Sequence, residues 1–207
     1  MQSDVHRAIP ASESVGRGRA APEDFESLLG RARNGAPSAW EQLFRQLAPA
    51  VAGYLRLRGA REPDDLTSEV FLAVFRNLPT FHGTEANFRS WVFVIAHRRL
   101  LDERRNRSRR PTVVDESFEE SSDWGNEPAG GDAEADALRA LATERVQAIC
   151  SRLVPDQRDV LLLRIVGDLT VDQIAEVLDK SPGAVKQLQR RGFEAVRRLL
   201  SREGVTL

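Results

Sequence analysis

Lysine is nearly absent from this chain, and cysteine, methionine and tyrosine are each reduced to a single residue. With Cys150 alone, no internal disulfide and no cysteine-rich zinc site can form. Cys150 stands among Leu138, Leu141, Val146, Ile149 and Leu153 and reads as a buried structural thiol rather than a redox switch. His6, His82 and His97 are scattered without metal-ligand spacing, so neither a metal nor another cofactor is expected. Long hydrophobic runs are also missing. Windows such as Trp91 to Ala96 and Val160 to Val166 fall far short of the ~20 apolar residues a membrane helix needs, and the N-terminus has no such stretch. The expectation is a cytoplasmic protein with no membrane insertion. A phosphate-binding glycine loop is lacking too, and the Asp, Glu and His residues form no nucleophile, paired-carboxylate or metal arrangement, which argues against an enzyme. Asp64 and Asp65, neighbours in an expected helix, point in different directions.

What is present is charge arranged by region. Of the 30 basic residues, all but Lys180 and Lys186 are arginine. Arginine's planar fork suits phosphates and base edges, although a GC-rich genome gives the same chain-wide bias. Position is more informative than identity, and the net charge of -1 conceals it. Seven arginines between Arg98 and Arg110 face only Asp102 and Glu103, whereas Pro111 to Leu138 holds nine acidic residues and no basic one. Lys186, Arg190, Arg191, Arg197, Arg198 and Arg202 then accumulate against Glu194. Two basic segments around an acidic connector suggest two contacts with a polyanion.

Periodicity divides the chain into an all-α, two-domain protein. Residues 1–21 read as a flexible tail and 22–110 as a first helical domain. Phe25 to Ala32, Trp40 to Leu57, Leu66 to Phe75 and Phe88 to Leu101 supply four apolar stripes able to bury one another. Pro49 should bend or interrupt the second helix, Pro79 should close the third, and the fourth is expected from Asn87. Residues 111–137 read as a mobile acidic linker in which Phe118 and Trp124 are either incidental or anchors on a partner. The second domain, 138–203, contains helices at Leu138 to Leu153, Pro155 to Val166, Val171 to Leu178 and Pro182 to Leu200. Thr170 with Gln173 has the capping-box pattern, and Ser181-Pro182 makes an N-cap and first-turn pair.

The last two helices have the proportions of a helix-turn-helix. Ile174, Ala175, Leu178, Val185 and Leu188 can pack them together, leaving Lys186, Gln187, Gln189, Arg190 and Arg191 outward, where amides and guanidiniums match base edges in a major groove. A solvated helical hairpin would have the same spacing. Phe88, Trp91 and Phe93 precede Arg98, Arg99, Arg104, Arg105 and Asn106; the aromatics read mainly as core and the polar rim as the nucleic-acid contact.

Two segments carry a family resemblance. Asp64-Asp65-Leu66-Thr67-Ser68-Glu69-Val70-Phe71-Leu72-Ala73-Val74-Phe75, followed by Phe88-Arg89-Ser90-Trp91-Val92-Phe93-Val94-Ile95-Ala96 and Arg99-Leu100-Leu101-Asp102, closely resembles region 2 of group IV (extracytoplasmic-function, ECF) sigma factors of the sigma-70 family. Leu153-Val154-Pro155-Asp156-Gln157-Arg158-Asp159-Val160 through Arg164, with Leu169 to Ala175 and Ser181 to Lys186, resembles region 4. The resemblance implies a subunit that binds core RNA polymerase, recognises -10 and -35 promoter elements and promotes DNA melting, often in a stress response. It implies that Asp64, Asp65, Glu69 and Phe75 meet the clamp helices of the largest catalytic subunit, and that the loop from Asn77 to Gly83 captures a flipped base. By the same analogy Asn77, Arg98, Arg99, Asp102, Arg105 and Asn106 lie at the -10 element. Lys186, Gln187, Arg190 and Arg191 lie at the -35 element, with Arg197 and Arg198 nearer phosphates. Implied partners are core RNA polymerase, through its clamp helices and flap region, promoter DNA and an anti-sigma factor.

The sequence departs from the common family pattern at Ser68, at His97-Arg98, at Ala184 and over Gln187 to Arg190, which bears on promoter choice more than on fold. Two other readings remain open from the residues alone. One is a helix-turn-helix regulator that is not a polymerase subunit, which would leave the first domain without a task. The other is a helical protein-interaction adaptor with solvated arginines.

Overall fold

The computed structural model describes residues 24–109 and 143–202, and every regular element among them is helical. The expected tail, the acidic linker with Phe118 and Trp124, and the start of the second domain's first helix lie outside the described residues. Helix α1 (Phe25–Arg33) follows Asp24 and buries Leu28, Leu29 and Ala32. Gly35, at φ +80°, ends it, and the Ala36 N–H returns to the Arg31 carbonyl at 3.0 Å. That left-handed step is the ordinary helix stop at which glycine has no Cβ penalty.

Helix α2 (Pro37–Leu57) continues through Pro49 as one element and buries Leu43, Leu47, Val51, Tyr54 and Leu55. The expected interruption does not occur. Pro49 is exposed, so the carbonyl deprived of its partner faces water, while the buried stripe on either side holds the helix to its neighbours. Helix α3 (Pro63–Asn77) has Asp64 and Asp65 in its first turn, where carboxylates complement the helix dipole, and it passes into a 3-10 turn, Leu78–Thr80. Helix α4 (Glu85–Arg109) begins two residues before the expected Asn87. Thr84 and Asn87 explain the earlier start: the Thr84 N–H donates to Asn87 Oδ1 at 3.1 Å, and the Asn87 N–H donates to Thr84 Oγ1 at 3.3 Å. Asparagine here does the work of the acid or glutamine in a capping box.

In the C-terminal half, residues 143–151 form α5, followed by α6 (Pro155–Ile165), α7 (Val171–Leu178) and α8 (Pro182–Arg202). The capping box at Thr170 and Gln173 is present in full, and Ser181 Oγ accepts from the Ala184 N–H at 3.2 Å. The turn between α7 and α8 uses Asp179, not glycine, at φ 52°, a left-handed conformation that a short polar side chain tolerates. Cys150 is free and buried, and burial raises its thiol pKa, consistent with an inert core residue. Val146, expected on the same apolar face, is instead 47% exposed.

The two halves share one hydrophobic cluster, in which Val92, Phe93 and Ala96 are continuous with Val160, Leu163, Leu169 and Ile174. Helix α4 packs on α7, and α2 on α6. The described halves are docked on one another. The reason lies in α4, which has apolar or neutral residues on two faces. Phe88 packs on Phe25 of the first domain, while Phe93 packs on Tyr54 of α2 and also lies beside Gly167 of the second half.

Candidate polymerase and nucleic-acid interface

On α3 the four residues expected to meet polymerase, Asp64, Asp65, Glu69 and Phe75, are all exposed on its outer side. Burial of Leu66, Val70, Phe71 and Val74 on the inner side fixes that orientation through the helical period. Phe75 is 49% exposed yet held in place, because its ring meets the edge of Trp40 at 5.0 Å. Two apolar residues that the sequence reading missed extend this surface. Leu72 is 53% exposed and Phe44 39%, the latter fixed against Phe71 at 4.7 Å. Beside them runs a groove of about 490 Å³ between α2 and α3, lined by Phe44, Ala48, Ala52, Thr67 and Ser68. An acidic helix face beside exposed aromatic anchors suits a partner with complementary basic and apolar residues.

The basic rim lies on the neighbouring helix α4, where Arg99 stands 3.7 Å from Glu69 of α3. Arg98, Arg99, Asp102, Arg105 and Asn106 are exposed along α4, while Leu100 beneath them is fully buried. Arg105 reaches Asp102 at 3.3 Å, so this acid orients a neighbouring guanidinium. The loop before α4 is built on aromatic stacking. Phe81 stacks on Trp91 with ring centroids 5.0 Å apart and planes inclined by 27°, and it meets the edge of Phe88 at 5.3 Å. Asn77 is exposed, but its Nδ2 donates to the Ala73 carbonyl at 2.8 Å, leaving the side-chain oxygen outward. Phe88 and Phe93 are core residues and Trp91 is half-buried, as their spacing suggested.

Helix α8 presents Lys186, Gln187, Arg190, Arg191, Arg197 and Arg198 to solvent. Val185 is completely buried against α7, and Gly192 touches α6, where an added Cβ would meet Leu161 Cδ1 at 2.9 Å. This glycine lets α8 lie close on its support, so the basic face opposite is displayed by a rigid scaffold. A short helix, a tight turn and a long helix with basic and amide residues near its start form a helix-turn-helix able to enter a major groove.

A polar cluster inside the molecule was not read from the sequence. Arg58 and Asp159, one from each half, form a buried ion pair with side chains 4% and 8% exposed. Arg104 donates to the Arg58 carbonyl, and the Tyr54 hydroxyl lies 2.8 Å from His97 Nδ1. Burial, then the positive charges of Arg58 and Arg104, lower the His97 pKa to about 4, so the ring is neutral near pH 7. Burial raises Asp159 to about 6 despite the same two arginines, which pull it the other way. No local pattern could have marked these residues, because a single Arg before a helix-ending glycine is unremarkable in so arginine-rich a chain.

Residues 43–110 match the family model for sigma-70 region 2, and residues 151–198 match that for sigma-70 region 4. The chain belongs to the sigma-70 family, as an ECF sigma factor. It is 30% identical to RNA polymerase sigma factor CarQ of Myxococcus xanthus over 174 residues, 82% of this chain and 94% of CarQ. It is 29% identical to ECF RNA polymerase sigma factor ShbA of Streptomyces griseus, covering 84% of this chain and 93% of that one. Identity is 30% to the ECF sigma factor BldN of Streptomyces coelicolor, of whose length the match covers 64%. A solved structure, CnrH in complex with the cytosolic domain of CnrY, shares the fold with a TM-score of 0.59 at 23% identity, covering 84% of this chain and 96% of that one.

As a sigma factor, the chain is a transcription initiation factor and not an enzyme; its partners are core RNA polymerase and promoter DNA. The helix-turn-helix belongs to region 4, and the aromatic and basic end of the first domain to region 2. Among the described residues no helix is long and apolar enough to cross a membrane.

Proposed function

We propose that three faces divide the work of this sigma factor in the cytoplasm. The outer side of α3, with Asp64, Asp65, Glu69 and Phe75, binds the clamp helices of the largest polymerase subunit. The turn at Asn77 and the rim formed by Arg98, Arg99, Asp102, Arg105 and Asn106 hold the -10 element and its melted strand. Helix α8 reads the -35 element with Lys186, Gln187, Arg190 and Arg191, while Arg197 and Arg198 sit nearer phosphates and the rest of the C-terminal domain meets the flap region.

The observation that carries this division is that an acidic, aromatic α3 face and two basic faces are each exposed over a buried core, with Glu69 and Arg99 at the seam between the first two. Strand opening on such a surface draws on binding energy from captured unstacked bases and needs no hydrolytic group. A regulator acting without polymerase would use α8 alone and leave α3 and the α4 rim unemployed. The exposed Phe44, Leu72 and Phe75 also suit an anti-sigma factor that competes for the polymerase surface.

The test is transcription of genomic fragments by purified bacterial core polymerase with and without this protein. Discrete new starts sharing upstream elements are the expected result. Sequence-specific DNA binding without core binding would overturn the proposal in favour of an independent regulator.

A further inference from the structure

Helix α1 packs on the 3-10 turn proposed for the -10 element, although it lies outside the segment, residues 43–110, that matches region 2. It braces that turn at two places. Phe25, at its start, sets its ring 5.6 Å from that of Phe88, on which Phe81 rests. Arg33, its last residue, brings Nη2 to 3.5 Å from Nδ1 of His82.

His82 is exposed, yet the chain on either side of it is held. Before it, Phe81 is stacked on Trp91, and its N–H returns to the Leu78 carbonyl at 3.1 Å. After it, Gly83 has φ +151°, and a Cβ there would stand 2.9 Å from Asn87 Cβ. Thr80 Oγ1 donates to the Asn77 carbonyl at 2.9 Å and ties the start of the turn. With its neighbours anchored, the direction of the His82 ring is left to Arg33.

The pairing also sets the polarity of that ring. A guanidinium has donors and no acceptor, so His82 Nδ1 accepts and the ring proton lies on Nε2. At the other end of the turn the polarity is reversed, because Asn77 Nδ2 donates to the Ala73 carbonyl and leaves Oδ1 as an acceptor. A phosphate offers a ligand surface only acceptors, whereas every base edge carries donors and acceptors together. One fixed donor and one fixed acceptor beside the stacked Phe81 and Trp91 therefore suit an unpaired base.

We propose that His82 is a specificity-determining residue of the -10 reader, and that Arg33 is its positioning residue, holding Nε2–H toward an acceptor atom of an unpaired base. The role in reading DNA rests on the -10 assignment above; the Arg33–His82 pairing does not. Because Arg33 acts through His82, removing it changes which base is preferred and not how many phosphates are neutralised.

The pairing is tested first in the free full chain with isotope-labelled histidine, read by nitrogen NMR. Arg33→Met should shift the His82 Nδ1 resonance, assigned by its loss in His82→Ala, and leave that of His97, which faces Tyr54, in place. An unmoved His82 resonance would overturn the proposal.

Base reading is tested in holoenzyme assembled with purified core polymerase, using a random-sequence library of single-stranded DNA selected for binding and sequenced. His82→Ala should flatten the base preference at one position about fivefold, the worth of one hydrogen bond. Arg33→Met should flatten the same position, and the double variant should go no further than His82→Ala alone. The dependence of log affinity on log salt should stay the same, since each phosphate contact removed from a single strand lowers that slope by about 0.7. Additive losses, a lowered slope in Arg33→Met, or a loss spread over every position would overturn the proposal. A preference that falls with Asn77→Ala but survives His82→Ala would overturn it and leave the -10 reading standing. A holoenzyme with no base preference at any position would sink that reading as well, even where the His82 resonance moves as expected.

Discussion

Glu69 Oε2 of α3 lies 3.7 Å from the Arg99 guanidinium of α4, so a residue assigned to polymerase touches one assigned to the -10 element. The side chains are 57% and 43% exposed, and pairs of this kind contribute at most about 1 kcal/mol. The contact is therefore available for exchange on binding rather than needed for folding. Glu69→Ala should weaken core binding, and Arg99→Ala should weaken binding to -10 DNA, each changing stability by less than about 1 kcal/mol. Parallel thermal melts and binding assays check this; a large loss of stability in either variant would make the pair structural.

On α8 the two kinds of basic residue should separate in their salt dependence. Alanine at Lys186, Arg190 or Arg191 should cost about 1–3 kcal/mol at a base-reading position and relax sequence preference there. Alanine at Arg197 or Arg198 should weaken all sequences alike and flatten the plot of log affinity against log salt by about 0.9 for each phosphate no longer neutralised. Titrations at several salt concentrations, with intact and scrambled -35 elements, distinguish the two, and core binding should not change.

The buried His97 makes stability respond to acid. Its pKa is lowered from 6.5 to about 4, so its contribution is complete above pH 6.5 and is lost as pH falls toward 4. Asp159 runs the opposite way: raised from 3.8 to about 6, its contribution is complete below 3.8 and is lost as pH rises through 6. His97→Asn keeps an acceptor for the Tyr54 hydroxyl without a titrating ring, though Arg58 and Arg104 remain beside it. Between pH 7 and 4.5 this variant should lose less melting temperature than the unaltered chain. An equal or greater acid loss would remove His97 from the explanation.

Gly192 sets how closely α8 approaches α6. A Cβ there meets Leu161 at 2.9 and 3.0 Å, so a branched side chain must push the helices apart. Leaving glycine returns up to about 1 kcal/mol of helix propensity, whereas overpacking costs about 1–3 kcal/mol. Gly192→Val should therefore destabilise region 4, and Gly192→Ala should do so by less, because it adds the Cβ contact with Leu161 but no branched atoms beyond it. Denaturant unfolding gives both values directly.

The helix boundaries follow from chemistry that acts within a few residues. Thr170 with Gln173, Ser181 with Pro182, and Gly35 and Gly59 set helix ends where they stand in the sequence, because capping bonds and left-handed turns are local. The start of α4 escaped because asparagine, in place of the usual acid or glutamine, completes the cap at Thr84. Pro49 misled because its effect depends on whether the freed carbonyl faces water, which only packing decides. The exposed candidate residues on α3, α4 and α8 were legible for the same periodic reason, since burying one helix face determines the other.

What the sequence determined alone was two helical domains, their order, their outward charges and the sigma-70 family signature, all of which reside in short-range periodicity and motif. Only the tertiary structure decided that Phe44 and Leu72 join Phe75 on one surface, and that Arg58 finds Asp159 across the junction of the two halves. A charge pair so distant along the chain leaves no periodic trace. Its partners are selected by shape and by the cost of burying either charge alone, and those arise only when α2 and α6 meet.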